Sequence, residues 1–260
     1  ADVEISADVE SLTAFDPHRG PNGDYADRPV QVLQPFEGYF IYNAGPQPRV
    51  LKVHPIEASS VAAAAAKRVT TSPRWADPGA AASNESWALR LAVRTSDAFD
   101  GSSLLGVHAQ AAEEHDSLDL RKPPTPPGAW VRLTFPHADW KVKPGVYRQD
   151  VRSPEVPGHL WTIEVTSARR GEAIEIVPRL ETALPTGLAL RLVDPEQAAV
   201  TELRGAGDQL TSYSVLSHGP DRPVQLTLLA GPEAWVADQL ANQLQLPARL
   251  ALENAPNPFN

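Results

Sequence analysis

From Trp87 to Leu228 the chain keeps returning to one pattern, apolar side chains at every second position in short runs. Trp87, Leu89, Leu91 and Val93 fall on one face, with Arg90 and Arg94 on the other. Val131, Leu133 and Phe135 alternate with Arg132 and Thr134, and Trp161, Ile163 and Val165 alternate with Thr162, Glu164 and Thr166. The same rhythm recurs in Ile174 and Ile176, in Leu188, Leu190 and Leu192, and in Val224, Leu226 and Leu228. A period of two is the signature of a strand buried on one side, because successive strand side chains point to opposite faces. Turn signals punctuate the runs at Arg170-Gly171, Pro185-Thr186-Gly187, Gly205-Ala206-Gly207-Asp208 and Gly219-Pro220-Asp221. Many short strands with such punctuation predict an all-β chain, an antiparallel β-sandwich of immunoglobulin-like or jelly-roll-like type, rather than βαβ units.

The sandwich is expected over residues 86–231, and residues 1–57 read as a smaller strand-rich piece ending in Gly38-Tyr39-Phe40 and Val50-Leu51-Lys52-Val53. Between them, residues 58–85 are rich in Ala, Ser and Pro and read as a linker, with a short helical stretch at Ala62–Lys67. Residues 232–260 read as a connector, with helical spacing from Trp235 to Leu246. Pro123, Pro124, Pro126 and Pro127 make a stiff strand-to-strand connection within Leu120–Gly128. A chain of 260 residues can bury a core without staples, so the absence of cysteine is no handicap. That absence excludes disulfide scaffolds, zinc ribbons, iron–sulfur sites and thiol catalysis. Thirty-two acids against 23 bases give a charge of −9, which argues against nucleic acid as a partner. No apolar run is long enough to span a membrane. The acidic start, Ala1-Asp2-Val3-Glu4, lacks a signal-peptide pattern, and with no methionine in the chain Ala1 is expected to follow processing or excision from a longer protein.

For chemistry the sequence offers few constellations. It contains no Gly-x-Ser-x-Gly elbow, His-Glu-x-x-His, phosphate loop or Ser-x-x-Lys, so a non-enzymatic chain without a cofactor is expected. Gly205-Ala206-Gly207 reads as a hairpin turn. The seven histidines are scattered; His115-Asp116 and His137-x-Asp139 could pair in space, against the plainer reading of surface polar residues. Hard oxygen ligands from two loops could hold calcium, with Asp97, Asp100, Asp116 and Asp119 as the ligands, although their spacing is not that of a helix–loop–helix calcium loop and a solvated acidic loop is the plainer reading. Trp140, in the loop-like Pro136-His137-Ala138-Asp139-Trp140, is the best candidate for an exposed aromatic that meets a sugar ring, with Trp130 second. Trp87 and Trp161, in phase with their strands, belong inside.

The C-terminal stretch Leu250–Asn260 closely resembles the opening of the C-terminal sorting domain of type IX secretion cargo, in which Pro256-Asn257-Pro258-Phe259-Asn260 begins a small immunoglobulin-like sandwich. Leu33–Asn43, Trp87–Leu91 with Gly106, Asp116, Asp119 and Pro123-Pro124, Trp161–Val165 and Leu226–Leu228 resemble the modules upstream of such domains. Asp116-Ser117-Leu118 resembles a bacterial O-glycosylation acceptor. The resemblance implies export to the outside or outer-membrane surface of a Gram-negative bacterium, with the type IX machinery as a partner through a sorting domain that would follow Asn260. The expectation is then a secreted or cell-surface β module with a structural, display or adhesive task, meeting other surface proteins or glycans. Two alternatives stay open: an accessory region of an exported peptidase or glycosidase whose catalytic domain lies before Ala1, and a carbohydrate-binding module.

Overall fold

The computed structural model of the chain describes residues 2–4, 12–16, 24–30, 38–41, 43, 52–54, 86–126, 128–205 and 209–243. The expected linker at 58–85 lies wholly outside the described residues, as does Pro256–Asn260. Among the described residues the chain is mostly β, with one short helix. No helix among them is long and apolar enough to cross a membrane.

In the N-terminal piece, β1 (Asp2–Glu4) pairs with β5 (Lys52–His54), while β2 (Leu12–Asp16) lies between β3 (Asp24–Val30) and β4 (Gly38–Phe40). Phe15, Tyr25 and Phe40 meet edge to face on that small sheet. The main body is one 11-stranded sheet. Its strands are β6 (Trp87–Arg94), β7 (Phe99–Val107), β8 (Leu120–Arg121), β9 (Val131–His137), β10 (Gly145–Arg152) and β11 (His159–Ser167). They continue with β12 (Ala173–Leu180), β13 (Leu188–Asp194), β14 (Ala199–Glu202), β15 (Tyr213–Leu216) and β16 (Val224–Pro232). The spatial order is β14-β13-β16-β11-β9-β10-β7-β6-β12-β15, with β8 beside β10.

The alternating runs identified in the sequence are all strands here, and their apolar faces form one core. What makes a single core from so long a sheet is β9. Its first half, Val131 to Thr134, pairs with β11, and its second half, Phe135 to His137, pairs with β10. A strand that changes partners midway turns the sheet back over itself. Val131, Leu133 and Phe135 all stay inward through the turn, and Trp87 of β6 meets Trp161 of β11 edge to face at 5.8 Å across the interior. The far ends nearly meet as well. Beyond β14, Thr211 N donates to Leu203 O (2.9 Å), Arg204 bridges Leu210, and Tyr213 Oη of β15 donates to Asp194 Oδ2 of β13 (3.0 Å).

One pairing departs from the antiparallel expectation: β10 runs parallel to β7, Gln149 opposite Leu104 and Arg152 opposite Val107. The register of β10 shifts between Tyr147 and Gln149. The extra residue of such a bulge changes the phase of the strand. It lets Tyr147 face the core beside Phe135 while Asp150, three positions on, faces the same way as His137.

The one helix among the described residues, α1 (Glu233–Gln243), covers the outer side of β13 and β16. Trp235, Val236 and Leu240 pack on Ala189, Val193, Leu229 and Leu160, and Arg191 makes a two-pronged bond to Glu233 in the first turn. The Trp235 ring lies against two glycines. A Cβ on Gly158 would stand 2.5 Å from ring atoms Cδ2 and Cε3, and one on Gly231 would stand 2.8 Å from Cε3. Gly158→Ala must therefore lift the indole and the helix with it, at a cost of about 1–3 kcal/mol. The expected readout is red-shifted tryptophan emission with protease cleavage within 233–243; emission and cleavage like the parent chain would refute the cradle.

Candidate functional site

The polar side chains that alternation cannot explain gather on β7 and β10, where both faces are covered. Asp100, Ser102 and Ser103 of β7 and Arg148, Gln149 and Asp150 of β10 are all buried. Asp100 accepts hydrogen bonds from Ser102 N (3.0 Å) and Ser102 Oγ (2.7 Å) on Oδ1 and from Leu133 N (3.0 Å) on Oδ2. Its Oδ2 also forms an ion pair with Lys122, whose Nζ reaches Ser102 Oγ (2.7 Å) and Ser103 Oγ (3.1 Å). Burial alone would raise the Asp100 carboxyl, but the Lys122 charge and these donors outweigh it and hold it below its ordinary value.

The second cluster is built around Asp150, which is 1% exposed. His137 Nε2 lies 2.7 Å from Asp150 Oδ2, and Arg152 donates from Nε to Oδ1 (2.7 Å) and from Nη2 to Oδ2 (3.0 Å). Burial pushes Asp150 up, yet the bonds from His137 and Arg152 and their charge win, and it stays a carboxylate. A carboxylate only accepts, so His137 Nε2 carries the proton. On the other side of that imidazole lies Trp140, stacked at 3.7 Å and 8°. Tyr147 and His115 close the ring of aromatics around Trp140 at 4.7 and 5.8 Å. Arg152 also lies over the Trp161 ring at 5.8 Å. His159, beside it, is depressed to about 4, first by burial and then by the Arg152 charge, so it is neutral at physiological pH.

Next to this cluster a cavity of about 180 Å³ opens between the small β2–β4 sheet and the main body. His115, Asp116, Asp119 and Arg121 form one side, Thr13 and Phe40 another, with Lys143 and Arg148 contributed by β10 and the turn before it. Compared with known proteins, the chain matches no family model, no curated protein and no solved structure. The reading of the site therefore rests on its own geometry.

The four carboxylates considered for calcium fall into separate settings. Asp97 pairs with Arg169 at the surface, and Asp100 is sealed in with Lys122. Asp116 accepts Ala112 N and Leu118 N at 2.6 Å each, and Asp119 accepts Val151 N (3.0 Å) and Asp116 N (2.9 Å). Only Asp116 and Asp119 come together, and both turn their oxygens to backbone N–H groups. Among the described residues no group of three or more His, Cys, Asp or Glu is arranged to hold a metal ion. Trp140 is 6% exposed, not the surface aromatic that its loop context suggested, because Pro136-His137 is still strand and lays the imidazole over the indole. Trp130 is half-buried, while Trp87 and Trp161 are inside as expected. The His137-x-Asp139 pair is a loose 3.7 Å contact; the close partner is Asp150, which spacing alone did not single out.

Asp119 gives this region a pH signature. Burial raises its carboxyl to about 8 from 3.8, so the folded chain keeps a proton that the unfolded chain gives up. The linked stability is fully present below the unfolded value and is lost as pH rises to the folded one, at up to about 1.4 kcal/mol per pH unit between them. Urea unfolding of the chain is expected to show that decline between pH 4 and 8, and Asp119→Asn to flatten it. Parallel curves for the two proteins would contradict the assignment.

Proposed function

We propose that this chain is a non-enzymatic β-sandwich module, immunoglobulin-like or jelly-roll-like, of a protein exported by type IX machinery to the surface of a Gram-negative bacterium or beyond it, where it spaces or displays its neighbours. One observation carries the reading: the side chains with chemical potential are committed to holding strands together. Asp100 ties Lys122 to the N–H groups of Ser102 and Leu133, and Asp150 of β10 ties β9 to its own strand through His137 while Arg152, two positions on in β10, holds its carboxylate in place. A buried carboxylate with its acceptor positions filled by fixed donors is a brace, and general acid–base work needs one that can reach a substrate. The resemblance of Pro256–Asn260 to a sorting-domain opening supplies the route, and the charge of −9 suits a soluble outer face. The sugar-binding alternative on Trp140 loses its support, since the ring face it needs is covered by His137.

The test is the location of the parent protein in its native cell. Protease added outside should degrade it in the wild type, and a strain lacking the export pore should hold it in the periplasm. A parent protein that stays in the cytoplasm of both strains refutes the proposal.

A further inference from the structure

We infer that Asp100 and Lys122 are the two halves of a self-formed cross-link, in which the Lys122 amine condenses with the Asp100 carboxyl to an amide and one water is lost. The pair meets the first need of such a condensation, a nucleophile and an electrophile held together away from solvent. The Lys122 side chain is 6% exposed and that of Asp100 4%, and the two are in contact as an ion pair. With Nζ touching Oδ2, the amine lies at most one C–O bond farther from Cγ, the carbon it attacks. Partners fixed in this way meet at effective molarities of about 10⁵–10⁸ M, far above the concentration of the water that opposes condensation. The place is also one that a covalent tie would serve. β10 lies between β7 and β9 in the sheet, and where it gives way Leu133 N donates to Asp100 Oδ2 (3.0 Å) and Ser103 Oγ to Leu133 O (2.7 Å). Side chains there stand in for ladder bonds.

The groups around the pair are placed for each step. Lys122 Nζ gives one proton to Asp100 Oδ2, which turns the ion pair into an amine and a carboxylic acid. The amine then forms the Nζ–Cγ bond, and the negative charge that develops on Oδ1 meets two donors already fixed there, Ser102 N (3.0 Å) and Ser102 Oγ (2.7 Å). A second proton passes from Nζ to Oδ2, the Cγ–Oδ2 bond breaks, and Oδ2 leaves as water. The three hydrogens of the ammonium end as one amide N–H and the two of the water, with nothing oxidised or reduced. Ser102 Oγ (2.7 Å) and Ser103 Oγ (3.1 Å) accept from Nζ and aim it. Arg132 of β9 eases the first proton transfer. Its charge is already drawn to Asp100, and a second cation beside one carboxylate favours a neutral lysine. The ion pair is the resting form, since Asp100 sits below its ordinary value, so the reaction is slow. Its product removes two charges from a buried place where both are costly. The inference stands apart from the export reading, and either can fail without the other.

The test is the intact mass of the whole folded chain, followed during ageing in neutral buffer until it is constant. The mass should end one water below that of the sequence, and fragmentation of a digest should place the join between the Asp100 and Lys122 side chains. Lys122→Met, which keeps the carboxylate on its backbone donors, should hold the full mass throughout. Ser102→Ala, which takes one donor from Oδ1, should slow the loss of water at least about tenfold. A mass that stays at the full value overturns the inference. So does a loss that maps to a cyclic imide at Asp100-Gly101, one that persists in Lys122→Met, or a rate that Ser102→Ala leaves unchanged.

Discussion

Asp150→Ala is expected to lower the unfolding free energy by about 3–5 kcal/mol, the range for removing one partner of a buried ion pair. The carboxylate receives His137 on one side and both prongs of Arg152 on the other, at 2.7–3.0 Å. Its loss leaves the Arg152 guanidinium, 16% exposed, over Trp161 without its counter-charge. It also frees the imidazole that holds Trp140 in place. For a body of this size the melting temperature should fall by on the order of 10 °C. Near-ultraviolet dichroism should lose signal too, because the stacked indole shares the disorder. A loss below about 1 kcal/mol would mean that Asp150 is not the brace described here.

The second large effect concerns Asp100 and Lys122, and its content is an order. Asp100→Ala is expected to cost about 3–5 kcal/mol, because it strands the Lys122 ammonium and removes the acceptor for the N–H groups of both Ser102 and Leu133. Lys122→Met should cost less. There the carboxylate keeps Ser102 N, Ser102 Oγ and Leu133 N, and an unbranched apolar chain fills the space of the lysine stem. Urea titrations of the two variants with matched m-values give the comparison. Equal losses, or the reverse order, would place the energy in the ion pair and not in the carboxylate's hold on the backbone.

The sequence revealed strands wherever one face is wet. β6, β9, β11 and β16 alternate because polar residues such as Arg90, Arg132, Thr162 and Gln225 stand outward while their apolar neighbours fill the core. The two strands that build the candidate site hid for the opposite reason. In β7 Asp100 to Val107 are all buried, and in β10 Tyr147 to Val151 are, so neither has a solvent face to set a rhythm. β10 also carries Arg148, Gln149 and Asp150 inside and is bulged, which breaks its phase. A parallel partner for β7 leaves no local trace, since the pairing joins residues more than 40 positions apart. The placement of Trp140 failed for a related reason. Proline at 136 and aspartate at 139 suggested a loop, while the strand continues to His137 and the ring folds back upon it. One signal was available: an Arg-Gln-Asp run bounded by Tyr147 and Val151 is too polar for an ordinary strand and too well framed for a loop.

The helix and the turns were easier. Gly171, Gly187 and Gly219 all have positive φ at the turns marked in the sequence, and α1 begins within two residues of the expected Trp235. Nothing local told that α1 would lie on a groove floored by glycine, because Gly158 and Gly231 come from strands far apart in the chain.

The account's central claim is that β9, by pairing with β11 in its first half and β10 in its second, joins the sheet into one cooperative scaffold. Native-state hydrogen exchange on the whole chain tests it most directly. The claim predicts that the slowest amides of β6, β7, β9, β11 and β16 share one opening free energy and one denaturant dependence. Two separate opening energies, one for the strands on the β10 side of β9 and another for those on the β11 side, would contradict it.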